Sequence, residues 1–492
     1  MKPWPKHPTI YEINTWVWLQ ELGNNTKSPV TLETVPEKEW DAIASLCVDA
    51  VWFMGVWERS PAGIVVSMGN QGLLADFRRA LPDFVAADNV GSPYCVRNYV
   101  VDSHLGGAEG LAAARRELAR RGLRLILDFV PNHVAPDHPW VTDHPDYFIH
   151  WNHDDAQRDT ASFIEAAGTV FACGRDPFFP AWPDVLQLNV FNGGLRRAII
   201  DTVNSIANQC DGVRCDMAML VMNDIFQRTW GERAGTRPGQ EYWPLLISAV
   251  HATHPGFLFM AEAYWDLEWE LQQQGFDFCY DKKLYDRLEH GAAENIRLHL
   301  CADPDYGDRL VRFIENHDEP RAAATFPEGK GRTAALVILT LPGARLLHEG
   351  QFEGRKVRLP VFLARRPAEA VDQELSSFYE RLLPETDCDL FRNGAWRLCE
   401  RSGWLDNQNC LNILTWCWVK DDERYLIIVN FSEVNSQALI RAPWDEVRGK
   451  MWRLDDRLSG ETFDRSGSDM RDAGLYVELG PWCCNLFRVR PL

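Results

Sequence analysis

The stretch that most restricts the fold is 123–129, Leu-Arg-Leu-Ile-Leu-Asp-Phe, a nearly unbroken apolar run directly after a charged amphipathic helical segment at 109–121. A strand with one solvated face alternates apolar and polar residues. A run with few polar positions belongs to a strand covered on both faces, as in parallel sheets flanked by helices. Similar runs recur at 9–19, 49–55, 212–216, 256–262, 275–280, 310–315 and 336–341, with helical spacing between them, for example at 36–47 and 195–209. Sequential parallel strands need helical crossovers, and eight such units give an α/β chain with a (β/α)8 TIM barrel.

Two stretches depart from this pattern. From 131 to 192 the periodicity fails in a segment dense in His, Asp, Pro, Trp and Phe, too long for a plain loop and read as a small inserted domain after strand 3. Helical spacing returns at 371–383. From 395 short alternating runs appear at 411–419, 425–431, 436–440, 475–479 and 485–489 between turn residues, the pattern of an antiparallel β-sandwich. The expected organisation is a barrel over 1–130 and 193–384, an inserted domain over 131–192, and a C-terminal β-sandwich over 385–492.

Charge and cysteine usage narrow the partners. A net charge of −19 opposes binding to a polyanion, so no nucleic-acid partner is expected. The 13 cysteines form no CxxC pair and read as core thiols in a reducing compartment. Neither a signal-peptide run nor a membrane-spanning apolar stretch is present, so a cytoplasmic location, no membrane partner and a small neutral substrate are expected. Oligomeric state is not legible.

Four of the eight strands end in polar clusters: Asp128-Phe129-Val130-Pro131-Asn132-His133, Arg214-Cys215-Asp216, Glu262, and Asn316-His317-Asp318. Strand ends in such a barrel meet at one mouth, so distant residues become neighbours. Val213 and Cys215 alternate with Arg214 and Asp216, which puts the guanidinium and the carboxylate on one strand face. The cation would keep Asp216 ionised, as a nucleophile at neutral pH requires. Glu262 follows the apolar run 257–261 and precedes Tyr264 and Trp265, so desolvation would raise its pKa and suit it as general acid, then base. Two carboxylates with separated pKa values equip a retaining glycosidase. Asp318 would stabilise positive charge on the sugar ring or brace its hydroxyls, His133 and His317 would donate to hydroxyls, and Trp265 would either stack on a sugar face or, like most single tryptophans, pack the core. Each residue also has a plain structural reading: an ion pair at a strand end for Arg214 and Asp216, a loop cap for His133, a satisfied core histidine for His317, an orienting acid for Asp128. His138, His144, His150 and His153 fit no short metal motif and read as loop residues.

In this order, the four segments resemble the four sequence regions of the α-amylase family of retaining α-glycoside hydrolases and transglycosylases. Residues 128–133 match the first, 212–216 the second, Glu262 the third and 316–318 the fourth. The resemblance implies that Asp216 is the nucleophile, Glu262 the acid/base and Asp318 the transition-state stabiliser. It implies that Tyr94, in Ser92-Pro93-Tyr94, is an aromatic platform at the cleavage point. The segment 316–321, ending in Arg321, is similar to members acting on short oligosaccharides. Departures concern calcium. Many members take one ligand from a His four positions after the nucleophile and another from an Asp in the inserted domain; here those places hold Leu220 and Gln187, and only Asn132 matches. Calcium takes six to eight oxygen ligands, so no metal or cofactor is expected. The resulting expectation is a retaining α-glycosidase or transglycosylase on α-linked glucose oligosaccharides, working through a covalent glycosyl-aspartate. The alternative is a non-catalytic sugar-binding or scaffold protein on the same fold, against which the presence of all three acids stands.

Overall fold

The computed structural model describes residues 3–151, 161–166, 168–327 and 329–492. Eight parallel strands close into a barrel: β1 (Thr9–Asn14), β2 (Ala50–Met54), β3 (Arg124–Phe129), β4 (Gly212–Cys215), β5 (Leu258–Ala261), β6 (Phe278–Tyr280), β7 (Leu310–Arg312) and β8 (Ala344–His348). Each pairs with its sequence neighbours, and β8 closes on β1 with Thr9 opposite Arg345. One alternate set of side chains, including Ile10, Trp52, Ile126, Met260, Val311 and Leu346, meets inside the barrel. The other set, including Tyr11, Val51, Leu125, Val213, Phe259 and Leu347, joins a larger core with the surrounding helices. Each fully buried aliphatic side chain contributes about 1.5–3 kcal/mol. Burial on both faces, rather than strand propensity, therefore selects the apolar run at 123–129.

The eighth strand does not lie at 336–341. Those residues belong to the helix Lys330–Thr340 and its end, and β8 begins only after Pro342-Gly343. Every described residue from Thr333 to Thr340 is buried, so the helix has no polar face and its sequence imitates a covered strand. Gly343 marks the true break: its φ is +98°, and a Cβ there would collide with the Leu310 carbonyl, so only glycine fits. The first strand is also shorter than 9–19. Asn14 ends it and caps the helix Thr15–Thr26, its side chain accepting from the Val17 N–H at 3.4 Å.

Between β3 and β4, strands His133–Val134, Trp182–Gln187, Thr169–Gly174 and Phe163–Ala166 form, in that order, a four-stranded antiparallel sheet that starts almost directly from the end of β3. At the C-terminus lie two more antiparallel sheets. The larger runs Ala395–Leu398, Ile413–Lys420, Glu423–Asn430, Cys484–Pro491, Met451–Asp456, Thr462–Ser466; the smaller runs Glu400–Ser402, Ser436–Arg441, Leu475–Leu479. Cys417, Leu426, Ile428 and Phe487 of the first face Ala438, Ile440 and Val477 of the second in one core. The opposite face of the larger sheet, with Trp416, Trp418, Ile427 and Val429, packs into the barrel's outer core. There the indole N–H groups of Trp416 and Trp418 both donate to the Thr340 carbonyl, at 3.0 and 2.6 Å. No helix among the described residues is long and apolar enough to cross a membrane.

Candidate active site

The strand register sets the height of each polar side chain. Arg214 of β4 lies opposite Asp128 of β3 and Met260 of β5. The hydrogen-bond ladder runs one step past the strand ends: the Asp216 N–H donates to the Phe129 carbonyl at 2.9 Å, and the Glu262 N–H to the Cys215 carbonyl at 3.0 Å. Asp216 and Glu262 therefore stand side by side at the carboxyl-terminal mouth. β4 and β5 approach closely because position 212 is glycine; a Cβ there would come within 2.9 Å of the Leu258 carbonyl oxygen. Past Asp216 the chain turns through Met217 at φ +41°, a conformation costly for a residue with a Cβ. That turn aims the Met217 N–H at Glu262 Oε2, 2.7 Å away.

Arg214 is fully buried and serves three carboxylates. Its Nη1 donates to Asp216 Oδ1 at 2.8 Å and lies 3.8 Å from Asp128 Oδ1. Its Nη2 is 2.7 Å from Glu262 Oε2, but the N–H is not directed at that oxygen. The rings of Trp52, Tyr94 and Tyr280 surround the guanidinium at 5.4, 5.1 and 5.9 Å, within cation–π range. Asp128 is oriented from below, its Oδ2 accepting the Gly55 N–H at 3.0 Å.

This setting separates the acids. Burial raises Glu262 to about 7 against the pull of Arg214, with Asp216 and Asp318 pushing the same way as burial. Burial raises Asp128 to about 6. Asp216 is raised as well: the expectation that Arg214 alone sets its charge omits burial, which acts the other way and is larger. Asp318 differs. Burial raises it, but the adjacent His317 overcomes that and holds it at about 2. Its side chain is 47% exposed, so solvent reinforces the ionised form. His317 is itself held between carboxylates, with Nδ1 2.5 Å from Glu12 Oε1 and Nε2 3.0 Å from Asp318 Oδ2. Burial lowers the imidazole, yet these two acids raise it well above its usual value. The Tyr94 hydroxyl oxygen lies 2.7 Å from Nε2 and accepts from it when the ring is protonated.

Of the residues expected from the sequence, Asp128, Arg214, Asp216, Glu262, His317, Asp318 and Tyr94 come together around this mouth. His133 lies to one side, buried, edge-on to Trp182 at 5.2 Å, and lowered by burial to about 4. Trp265 is half-buried, with φ +62° and its ring 4.8 Å from Phe178 of the inserted segment. Arg321 is buried behind the site, 3.0 Å from Glu315 and donating to the Glu349 carbonyl at 2.7 Å, so its guanidinium is taken by the scaffold. Glu12 was not anticipated, nor was a hydrogen bond from Tyr264, which the sequence suggested only as a desolvating neighbour of Glu262. Tyr264 donates to Glu262 Oε1 at 2.9 Å. A lone acid inside an apolar strand, Ile-Tyr-Glu-Ile, was the available signal for Glu12.

The residues at the family's calcium position do not suit that ion. Asn132 and Gln187 bond to each other through their amides, and Leu220 is buried among apolar neighbours. Among the described residues no three His, Cys, Asp or Glu side chains form a metal cluster. His138 accepts the Trp140 N–H, His144 stacks on Tyr147 at 4.6 Å, and His150 lies against Phe171; His153 is outside the described residues. A cavity of about 580 Å³ opens beside Trp4, Phe257 and Phe278, at the opposite, amino-terminal ends of β5 and β6, away from the acids.

Comparison with known proteins bears on the family and the fold. The alpha-amylase catalytic-domain family matches residues 37–277. Alpha-amylase MalA of Haloarcula japonica is 24% identical over 369 residues, 72% of this chain but 45% of that protein. An alpha-1,4-glucan:maltose-1-phosphate maltosyltransferase of Corynebacterium pseudotuberculosis is 25% identical over 231 residues, 45% of this chain and 27% of its own length. The matches thus span less than half of either relative. Among solved structures, the maltogenic alpha-amylase AmyB from Thermotoga neapolitana superposes with a TM-score of 0.70 at 18% identity, covering 99% of both chains, a likeness of fold.

Proposed function

We propose that this chain, which belongs to the alpha-amylase family, is a retaining glycosidase or transglycosylase on α-linked glucose oligosaccharides. It works through a covalent glycosyl intermediate on Asp216. The observation that carries this reading is the single buried cation, Arg214, 2.8 Å from Asp216 and 2.7 Å from Glu262 on adjacent strand ends. It fixes both carboxylates at one mouth while burial keeps one of them protonated near neutrality. Arg214 takes Asp216 Oδ1, and no hydrogen bond among the described residues takes Oδ2, which is therefore the attacking oxygen. Glu262 Oε2 accepts the Met217 N–H and faces Arg214, leaving Oε1, beside the Tyr264 hydroxyl, to carry the proton.

In the first step Oδ2 attacks the anomeric carbon. The bond from that carbon to the glycosidic oxygen breaks, and the Glu262 proton passes to the leaving oxygen. In the second step the Glu262 carboxylate takes a proton from water or a sugar hydroxyl. That oxygen attacks the anomeric carbon and expels Asp216. Asp318, ionised and solvent-facing, balances the positive charge that develops on the ring in the transition state of each step. Two inversions return the starting configuration. Proton NMR of the first product from an α-linked oligosaccharide, read before mutarotation, should show the α-anomer; a β-anomer appearing first removes the covalent intermediate. Product profiles on maltooligosaccharides, trehalose and sucrose then identify the acceptor, since the named relatives include an amylase and a maltosyltransferase.

A further inference from the structure

The calcium position implied by the family carries an arrangement of its own. Gln187 ends the inserted strand Trp182–Gln187, pairs in register with His133, and is fully buried. Its amide nitrogen donates toward three oxygens: Asn132 Oδ1 at 2.8 Å, the Asn132 carbonyl at 2.9 Å and the Leu188 carbonyl at 3.0 Å. Its amide oxygen points the other way, accepting from Asn132 Nδ2 at 3.2 Å and from the Arg175 N–H at 3.4 Å. The main chain fixes this orientation. A flipped amide would set its oxygen against two main-chain carbonyls and its NH2 group against an N–H.

Three oxygens converging on one buried point are part of what a hard cation uses, and unoccupied they would repel one another. Here the point is filled by a neutral NH2 group, whose two hydrogens serve the three oxygens. We infer that the Gln187 amide is a built-in replacement for a bound cation. It gathers the end of β3 and the inserted sheet into one joint that needs no divalent ion. Gln187 is thus a positioning residue. It holds Asn132, the chain neighbour of His133, and so sets where the inserted sheet stands at the mouth. A carboxylate in its place would reverse the chemistry, adding a fourth oxygen and a negative charge to the nest and making it a site for a divalent cation.

Melting of the full-length wild type, Gln187→Glu and Gln187→Met in EDTA and in millimolar calcium tests this, together with terbium luminescence sensitised by nearby tryptophans. The wild type should melt at one temperature in both buffers and give no sensitised emission. Gln187→Glu should melt several degrees lower in EDTA, recover most of that in calcium, and bind terbium. Gln187→Met, isosteric but without N–H groups, should melt several degrees low in both buffers. A calcium-dependent rise in the wild type would overturn the inference, because Gln187 would then be a ligand and not a substitute. A folded Gln187→Glu without a calcium response would show that the oxygens do not form a cation nest. Gln187→Met melting like the wild type would show that the amide does not hold them, and this arm decides even where Gln187→Glu fails to fold.

Discussion

Replacing Arg214 by Met removes the one cation shared by the buried acids while keeping an unbranched side chain of similar reach. Its guanidinium nitrogens lie 2.8 Å from Asp216 and 2.7 Å from Glu262. Those contacts put the charge centres about 4 Å apart, where an effective dielectric of about 20 gives about 4 kcal/mol per pair. That energy corresponds to about 3 pKa units. Both acids should therefore rise together, and the bell-shaped pH profile of kcat/KM should move bodily to the alkaline side by about 2–3 units. Arg214→Lys is the control: an ammonium keeps a charge but reaches only one carboxylate, so the limb of that acid stays in place while the other moves and kcat falls. Stability must be checked first, since removing one partner from a buried ion set costs about 3–5 kcal/mol. The sign can be worked out. Carboxylates whose folded pKa lies above the unfolded value stabilise at low pH and lose that contribution as pH rises through the folded value, so Arg214→Met should be most stable in acid. A folded Arg214→Met whose pH limbs coincide with those of the wild type would refute the shared-cation account.

Further outcomes follow from the same geometry. Glu262→Gln keeps one oxygen to accept the Met217 N–H, turns an NH2 donor toward the Tyr264 oxygen, and carries no transferable proton. Its turnover should fall about 10²–10⁴-fold on oligosaccharides and far less on activated aryl glycosides, and equal losses on both would count against the acid role. In the wild type the alkaline limb should lie near the raised Glu262 pKa of about 7, activity falling as pH rises through it; a limb at the ordinary carboxylate range of the acid side would contradict the burial described for this group. Glu12→Gln takes away one of the two acids that keep His317 charged. Because a histidine raised on folding stabilises fully below its unfolded pKa and loses that as pH rises, the stability gap between Glu12→Gln and wild type should be constant below about pH 6.5 and shrink above it. Urea denaturation across pH 6 to 9 reads the gap, and a gap independent of pH would mean that Glu12 acts only through packing.

The ends of β3, β4, β5 and β7 were legible because a barrel converts sequence order into convergence at one mouth, so each strand-end acid needed no contact to be inferred. Glu12 was hidden because its role comes from His317, which faces it in the barrel and is remote in sequence; Tyr264 stood beside Glu262 in the sequence as a desolvating ring, but its hydrogen bond to that acid depends on the turn after β5. The charge of Asp216 was half legible. Arg214 two residues earlier is visible in the sequence, whereas the burial that opposes it depends on neighbouring strands. The misplaced eighth strand has a similar cause. Nothing local distinguishes a helix wrapped on all sides from a covered strand, although Pro342-Gly343 was a turn signal that separates the two. Arg321 illustrates the converse: it stands next to the fourth motif in sequence, yet Glu315 and the Glu349 carbonyl claim it.

The paired indoles at Thr340 bear on how the molecule comes apart. Both lone pairs of one carbonyl are taken by Trp416 and Trp418, and that carbonyl belongs to the helix leading into β8, the strand that closes the barrel. Detaching the C-terminal sheets would strip the apolar cover from a helix with no solvent-tolerant side and loosen the closing strand with it. The last hundred or so residues are thus a buttress for the barrel and not a detachable appendage. Shortening the chain before Ala395 should yield aggregation and not a smaller working enzyme, and calorimetry of the intact chain should resolve one transition spanning both parts.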